Sequence, residues 1–243
     1  MRPTLAYARA SLVELLRVPA FSVPTLLFPM LTYLFVTTTV YEDGNPARAM
    51  AGVAGTAVLG VGFFQFGVGI AIERPTPWER YLRTLPVTIR ARLAGRVLAA
   101  IPFASAAAAL VILTAVARDG VSLSWRRWLL LAIALVAGGI PFALAGIALG
   151  YWLSPRAALP VANLVFFGAA LAGGLWAGPA RVPGESGFPA ALVPTRSWGE
   201  LLWASVEGRP WRVTDVALLA TAGVGFGLFA AWGYRRDQGE LFT

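Results

Sequence analysis

The chain of 243 residues has no cysteine and no histidine, and its 20 basic residues include no lysine. Without cysteine there is no disulfide framework, thiolate metal site or nucleophilic thiol. Without histidine the usual general base and zinc ligand are missing, which excludes zinc-dependent and Ser–His intramembrane proteolysis. Without lysine there is no Walker A loop, because that loop needs its Lys against the nucleotide phosphates. Any ATP that drives this protein is therefore bound by another polypeptide. Charge is scarce as well: 13% of the residues are charged and 58% hydrophobic, against about 25% charged in an average soluble domain. So little polar surface cannot cover a soluble particle, and the composition is that of an integral membrane protein. The isoelectric point near 10.9 reflects arginines flanking membrane spans rather than a nucleic-acid surface.

What is abundant is uninterrupted apolar sequence. Six charge-free runs of 19 to 26 residues, Val18–Tyr41, Ala49–Ile72, Val97–Ala117, Trp128–Leu153, Ala157–Ala180 and Val216–Tyr234, are each long enough to cross a hydrocarbon core of about 30 Å as a helix. The expected fold is an all-α membrane protein with six transmembrane helices in a single transmembrane domain, 1–243. The first run is too long for the apolar segment of a secretory signal and lacks a small-residue exit. With the N-terminus inside, the inner segments carry Arg2, Arg9, Arg17, Arg74, Arg80, Arg83, Arg90, Arg92, Arg96, Arg156, Arg235 and Arg236. The outer ones carry Arg48, Arg118, Arg126, Arg127, Arg181, Arg196, Arg209 and Arg212. That excess places both termini in the cytoplasm. A cysteine introduced at Ser186 should then react with an impermeant thiol reagent on whole cells, and one at Thr84 only after permeabilisation. The opposite pattern would invert the topology.

Two connections carry local signals. Between the second and third runs, Thr76-Pro77-Trp78-Glu79 reads as a capping box with proline at the first helical position. At 100° per residue, Trp78, Tyr81, Leu82 and Leu85 share one face, while Glu79, Arg80, Arg83 and Thr84 share the other. Pro86 then ends the helix. An amphipathic helix of this kind either lies under the headgroups or presents its polar face to a cytoplasmic partner; periodicity alone fits both. Between the fifth and sixth runs, Ser197-Trp198-Gly199-Glu200 reads as a second capping box, opening an external helix that Gly208 ends. Trp198 and Trp203 there read either as an interfacial belt or as part of a gate. At the N-terminus, Leu5, Leu12 and Leu16 face away from Ser11, Glu14 and Arg17, the pattern of an interfacial helix.

The stretch Glu73-Arg74 through Leu82, Pro86 and Val87, followed by Gly95-Arg96-Val97-Leu98, resembles the ABC-2 type permeases of ATP-binding-cassette transporters. Those proteins show an E-R-x-x-G-T-x-x-x-L-x-x-x-P-V stretch after their second span and a G-[KR]-x-L stretch at the start of the third. Pro77 and Trp78 here replace the usual Gly and Thr. The resemblance implies an N-terminal interfacial helix, six spans, internal termini, a cytoplasmic coupling helix between spans 2 and 3 and a helical external segment before the last span. It further implies a multi-pass permease of the cell inner (plasma) membrane, itself without catalytic activity or cofactor. A separate ABC ATPase subunit in two copies and a second permease copy or similar permease would complete the exporter. On this reading Glu73, Arg74, Glu79, Arg80, Arg83 and Pro86 couple the ATPase to the spans.

Within the spans, Gly146–Gly150, Gly174–Gly178 and Gly223–Gly227 are small-residue pairs that permit close helix approach, and Pro24, Pro29, Pro141 and Pro160 are potential kinks. Phe63, Phe64, Phe66, Phe166 and Phe167 are candidates for an apolar substrate path, with core packing or lipid contact as the alternative for each. No ionisable residue sits mid-span, and Asp215 lies at an edge. Proton- or cation-coupled carriers bury ionisable groups at a cost of at least ~2.5 kcal/mol each, so coupling of that type is disfavoured. An apolar path suits a drug, lipid or antibiotic. The competing functions are an uncoupled channel or carrier and a non-transporting membrane assembly factor.

Overall fold

The computed structural model describes residues 13, 19–39, 44–77, 79, 89–178 and 193–239. The expected interfacial segment around Leu5–Arg17 apart from Val13, the face Trp78–Leu85 apart from Glu79, and Arg80, Arg83 and Pro86 lie outside the described residues.

Seven helical segments account for the described bundle: α1 (Pro19–Thr39), α2 (Pro46–Glu73), α3 (Ile89–Asp119), α4 (Trp125–Trp152), α5 (Pro155–Ala172), α6 (Pro194–Glu207) and α7 (Val213–Gly239). Five of them, α2, α3, α4, α5 and α7, are long and apolar enough to cross a membrane, and α1 contributes the shorter apolar stretch Val23–Thr39. Helix starts follow local chemistry. Asn45 caps α2, its side chain accepting from the N–H groups of Ala47 (3.2 Å) and Arg48 (3.3 Å), with Pro46 at the first helical position. Ser154 does the same for α5 toward the Ala157 N–H, with Pro155 next. Each cap occupies one of the donors a helix start leaves unpaired.

The core sits on α2 and α4. In α2 the most apolar stretch is 67% buried, against 22% in α5 and 17% in α7, so α2 is the central post, on which every other helix but α7 leans. α4 packs along α2 on one side and α7 on the other, and α1 and α3 cover the remaining flank of α2. The Tyr33 hydroxyl donates to Asp119 at 2.6 Å and ties α1 to the end of α3. Large apolar side chains left exposed, among them Phe35, Leu113, Val136, Leu164 and Leu228, lie on span surfaces, where hydrocarbon is the natural contact.

The α2–α4 contact is made backbone to backbone. A Cβ built on Gly146 would stand 1.9 Å from the Gly62 carbonyl oxygen, and one on Gly150 would stand 2.7 Å from Ile70 Cβ. The Gly146–Gly150 pair is therefore a true packing seam. On the α7–α4 face a Cβ on Gly223 would stand a tight 3.3 Å from Pro141, and one on Gly227 an ordinary 3.5 Å from Leu144. Gly174–Gly178 is not a helix contact: both residues have positive φ (70° and 79°) in the turn after α5.

That turn corrects the fifth expected span. The apolar run to Ala180 does not continue as helix, because α5 stops at Ala172 and residues 173–177 fold into turns. Gly173, Gly174 and Leu175 are buried, and the Leu175 carbonyl lies against Gly52, where a Cβ would stand 2.2 Å away. Irregular backbone of this kind is tolerated at membrane depth only where protein covers it. A second feature absent from the sequence pattern is the π-helical stretch Val61–Val68 in the middle of α2. It contains Gly62 and Gly67, the two glycines that approach α4.

Candidate functional site

Three places in the bundle combine polar or aromatic groups from several helices. The first is the end at which α2, α4 and α7 finish. Arg74, just past α2, donates to the carbonyls of Tyr151 (2.5 Å) and Leu153 (3.1 Å) and pairs with Asp237 at 3.1 Å. The two carbonyls belong to the last turn of α4, where acceptors are unpaired and the helix dipole is negative, so a guanidinium is favoured there. Asp237 lies in the last turn of α7, an unfavourable place for an acid, and Arg74 offsets that charge. One side chain thus joins three helix ends. Beside it Trp152 stacks on Phe229 (5.0 Å between centroids, 4° between planes), meets Trp232 at 4.7 Å and lies under the Arg236 guanidinium at 5.0 Å.

The connection that follows begins as its residues specify. The Glu79 N–H donates to Thr76 Oγ1 at 3.3 Å, and Pro77 and Glu79 are helical. Glu73 is exposed, while Arg74 and Glu79 are half-buried. Among the candidate coupling residues, then, Glu73, Arg74 and Glu79 sit at one end of the bundle, with Arg74 turned inward onto α4 and α7.

The second place is α6. Its expected cap is corrected: the helix starts at Pro194, and Ser197 lies within the first turn, with its hydroxyl buried and without a partner. Proline at the first position and the Thr195 hydroxyl, which donates to Ala169 O at 2.7 Å, set the start instead. Gly208 ends the helix with φ 76°, as a left-handed cap requires. The interfacial reading of Trp198 and Trp203 is also overturned, since both are fully buried. Trp198 donates from Nε1 to Ala134 O at 2.8 Å and packs on Phe142. Gly138 leaves the room, because a Cβ there would stand 1.8 Å from the indole. α6 is thus wedged among α2, α4 and α7. At its far end Glu207 pairs with Arg48 at the start of α2 and with Arg209, while Arg127 donates to Val206 O at 3.4 Å. It also carries charge into the bundle: Arg196 and Glu200 pair at 2.7 Å, each 18% exposed, with Arg196 over the Trp203 ring. Hydropathy could not reveal this pair, because it arrives on a connection rather than on a span.

The third place is a cleft of about 230 Å³. Its floor is Phe63 of α2 with Phe142, Ala145, Ala148 and Leu149 of α4; Val165 and Ala169 of α5 form one wall, and Phe226 and Phe229 of α7 the other. Val193, Pro194 and Thr195, at the start of α6, bound it on one side. Of the five candidate path residues, Phe63 lines this cleft. Phe64 packs on Phe166 at 5.3 Å, and Phe166 and Phe167 both pack on Trp176, joining α5 to the π-helical stretch and to its own following turn. Phe66 belongs to a separate cluster with Phe103 and Ile147. The sequence reading missed Phe142, Phe226 and Phe229, whose regular apolar surroundings distinguish them from no other span residue.

A bundle of spanning helices around an apolar cleft, with a wedged helix at one end and an arginine clamp at the other, defines a polytopic α-helical membrane protein. Over 82% of its length the chain is 21% identical to "Putative transport permease YvfS" of Bacillus subtilis strain 168, covering 83% of that protein. It is thereby a relative of a membrane transport permease, consistent with the ABC-2 type resemblance carried by Glu73–Leu98. No protein-family model matches the chain, and no solved structure matches it.

Proposed function

We propose that the chain is the permease subunit of an ABC-2 type exporter. It forms the path for a hydrophobic or amphipathic cargo (a drug, lipid or antibiotic) and couples that path to a separate ATPase subunit, present in two copies, that docks on the Glu73–Arg96 connection. A second permease copy, or a similar subunit, completes the path across the plasma membrane, with both termini in the cytoplasm. The chain hydrolyses no ATP itself, since it has no lysine for a phosphate-binding loop.

The observation that carries this reading is the Arg74 clamp. It fastens the start of the connection to the ends of α4 and α7, the two helices that supply half of the cleft lining. Force applied to the connection by a closing ATPase pair is delivered to those helices. Glu73, Glu79, Arg80 and Arg83 form the docking face, Pro86 sets its end, Phe63 faces the cargo, and Phe64, Phe166 and Phe167 hold the adjoining wall.

The test is co-purification of a tagged ABC ATPase subunit with the wild type and with Arg80→Glu/Arg83→Glu at equal expression. Exposed charge pairs are individually worth about 0.2–1 kcal/mol, so two reversals are combined. The double variant is expected to insert and melt like the wild type while losing ATPase and nucleotide-dependent transport. Equal retention and equal transport would reduce the connection to a surface-lying linker.

A further inference from the structure

We propose that the cleft between α5 and α7 is a side-opening binding site for a hydrocarbon chain, filled in the membrane by the acyl chain of a phospholipid. Its depth is the first argument. Phe63, Ala145, Val165 and Phe226 lie well inside their helices rather than at the ends, so the cleft stands within the hydrocarbon layer if the spans cross it. Its shape follows from which helix holds which. α5 is fastened to α2 through Phe166 on Phe64, whereas α7 is fastened to α4 through Gly223 on Pro141 and Gly227 on Leu144. Attached to different neighbours, the two helices stand apart, and the small side chains Ala145, Ala148 and Ala169 leave the space between them unfilled.

The chemistry of the lining selects the occupant. All the lining side chains are hydrocarbon except Thr195, and its hydroxyl is already committed to Ala169 O. Water needs two to four polar partners to occupy a cavity, and an apolar cavity of about 150 Å³ stays dry yet takes up benzene. A cleft of about 230 Å³ admits a slender chain and offers water nothing. The start of α6 bounds it on one side, and Phe229, held by Trp152 stacking, bounds it toward the Arg74 end. The way left open is sideways, between α5 and α7, into the bilayer. A chain moving from bilayer to cleft is not leaving water, so dispersion contacts and shape set its occupancy, and it exchanges with bulk lipid. The same geometry would admit the apolar part of a cargo, which deepens the proposed transport path; the lipid is the occupant at rest.

The experiment uses the full chain in nanodiscs of phosphatidylcholine bearing a diazirine midway along one acyl chain, with photolysis and peptide mapping. Lipid-facing Leu164 is labelled in any case. The discriminating residues are Phe63, Phe142 and Ala148, each no more than 3% exposed yet lining the cleft. They are expected to be labelled well above Met50 and Val53, which are buried elsewhere. Val165→Trp, and independently Ala169→Leu, should abolish labelling at Phe63 and Phe142 while leaving it at Leu164 and leaving the melting temperature unchanged. Labelling of Phe63, Phe142 and Ala148 no stronger than that of Met50 overturns the proposal. So does a benzophenone side chain at Phe226 that cross-links a second copy of this chain instead of lipid. Labelling is read without the ATPase, so its failure leaves the coupling reading standing. Failure of co-purification likewise leaves the cleft standing.

Discussion

Replacing Gly146 by alanine is expected to lower the melting temperature sharply, whereas the same change at Gly168 leaves it unchanged or raises it slightly. A Cβ at 146 would stand 1.9 Å from the Gly62 carbonyl oxygen, and one at 168 would meet nothing within 4 Å. The Gly62 oxygen is backbone, so no side chain can swing aside, and α4 must move away from α2. Separating the helices also loosens Gly67 and Gly150, which share the seam. In a bilayer this contact has no hydrophobic drive behind it, since lipid tails are as apolar as the side chains, and it rests on van der Waals packing. Overpacking of a close contact costs about 1–3 kcal/mol and sometimes more, a large part of a net stability of about 5–15 kcal/mol. At 168 the helix-propensity gain of alanine over glycine, about 1 kcal/mol at most, acts alone. Size-exclusion chromatography of detergent-solubilised protein after graded heating reads both. Equal melting of the two variants would mean that α2 and α4 do not approach backbone to backbone.

Arg74→Ala is expected to have the other large effect, on stability and on transport together. It strips two terminal carbonyls of α4 of their donor and leaves Asp237, whose side chain is 11% exposed, without that partner. Breaking a buried ion pair from one side costs about 3–5 kcal/mol; with the Arg74 side chain 21% exposed, solvent screening places this pair at or below the lower end of that range. Arg74→Lys should rescue little, because a single ammonium cannot reproduce the fork that reaches two carbonyls and a carboxylate at once. Asp237→Asn should cost less than Arg74→Ala, since it leaves the α4 carbonyls capped. A double-mutant cycle between Arg74→Ala and Asp237→Asn, read by melting and by nucleotide-dependent transport in proteoliposomes, separates the pair from the cap. An interaction energy near zero in both readouts would deny Arg74 its role as the joint between the connection and α7.

Both effects sit where local sequence is silent about partners. The spans themselves were legible, because a long run without charge can be satisfied only by hydrocarbon or a protein core, and the cores of α2, α3, α4 and α7 fall within the expected runs. The start of the connection after α2 was legible too, because a cap is a contact between residues three apart: Thr76 receives the Glu79 N–H as its spacing requires. Gly208 ended α6 for the same kind of reason, a positive φ that a glycine adopts without strain. The exclusion of an ATP-binding loop needed only the absence of lysine.

Tertiary structure decided whatever depends on distinguishing lipid from protein as the apolar neighbour, because an apolar side chain is equally compatible with either. That is why Trp198 and Trp203 read as an interfacial belt or as part of a gate when they are buried in the bundle, and why the apolar run through Leu175 read as span when it is a buried turn. It is also why Phe63 and Phe66, three residues apart on one helix, face a cleft and a packed cluster respectively, across a π-helical stretch that no periodicity announces. Arg74 shows the limit most plainly. Its position beside Glu73 marked it as important in the sequence, but only the convergence of the α4 and α7 ends turned that guanidinium inward and made it a clamp.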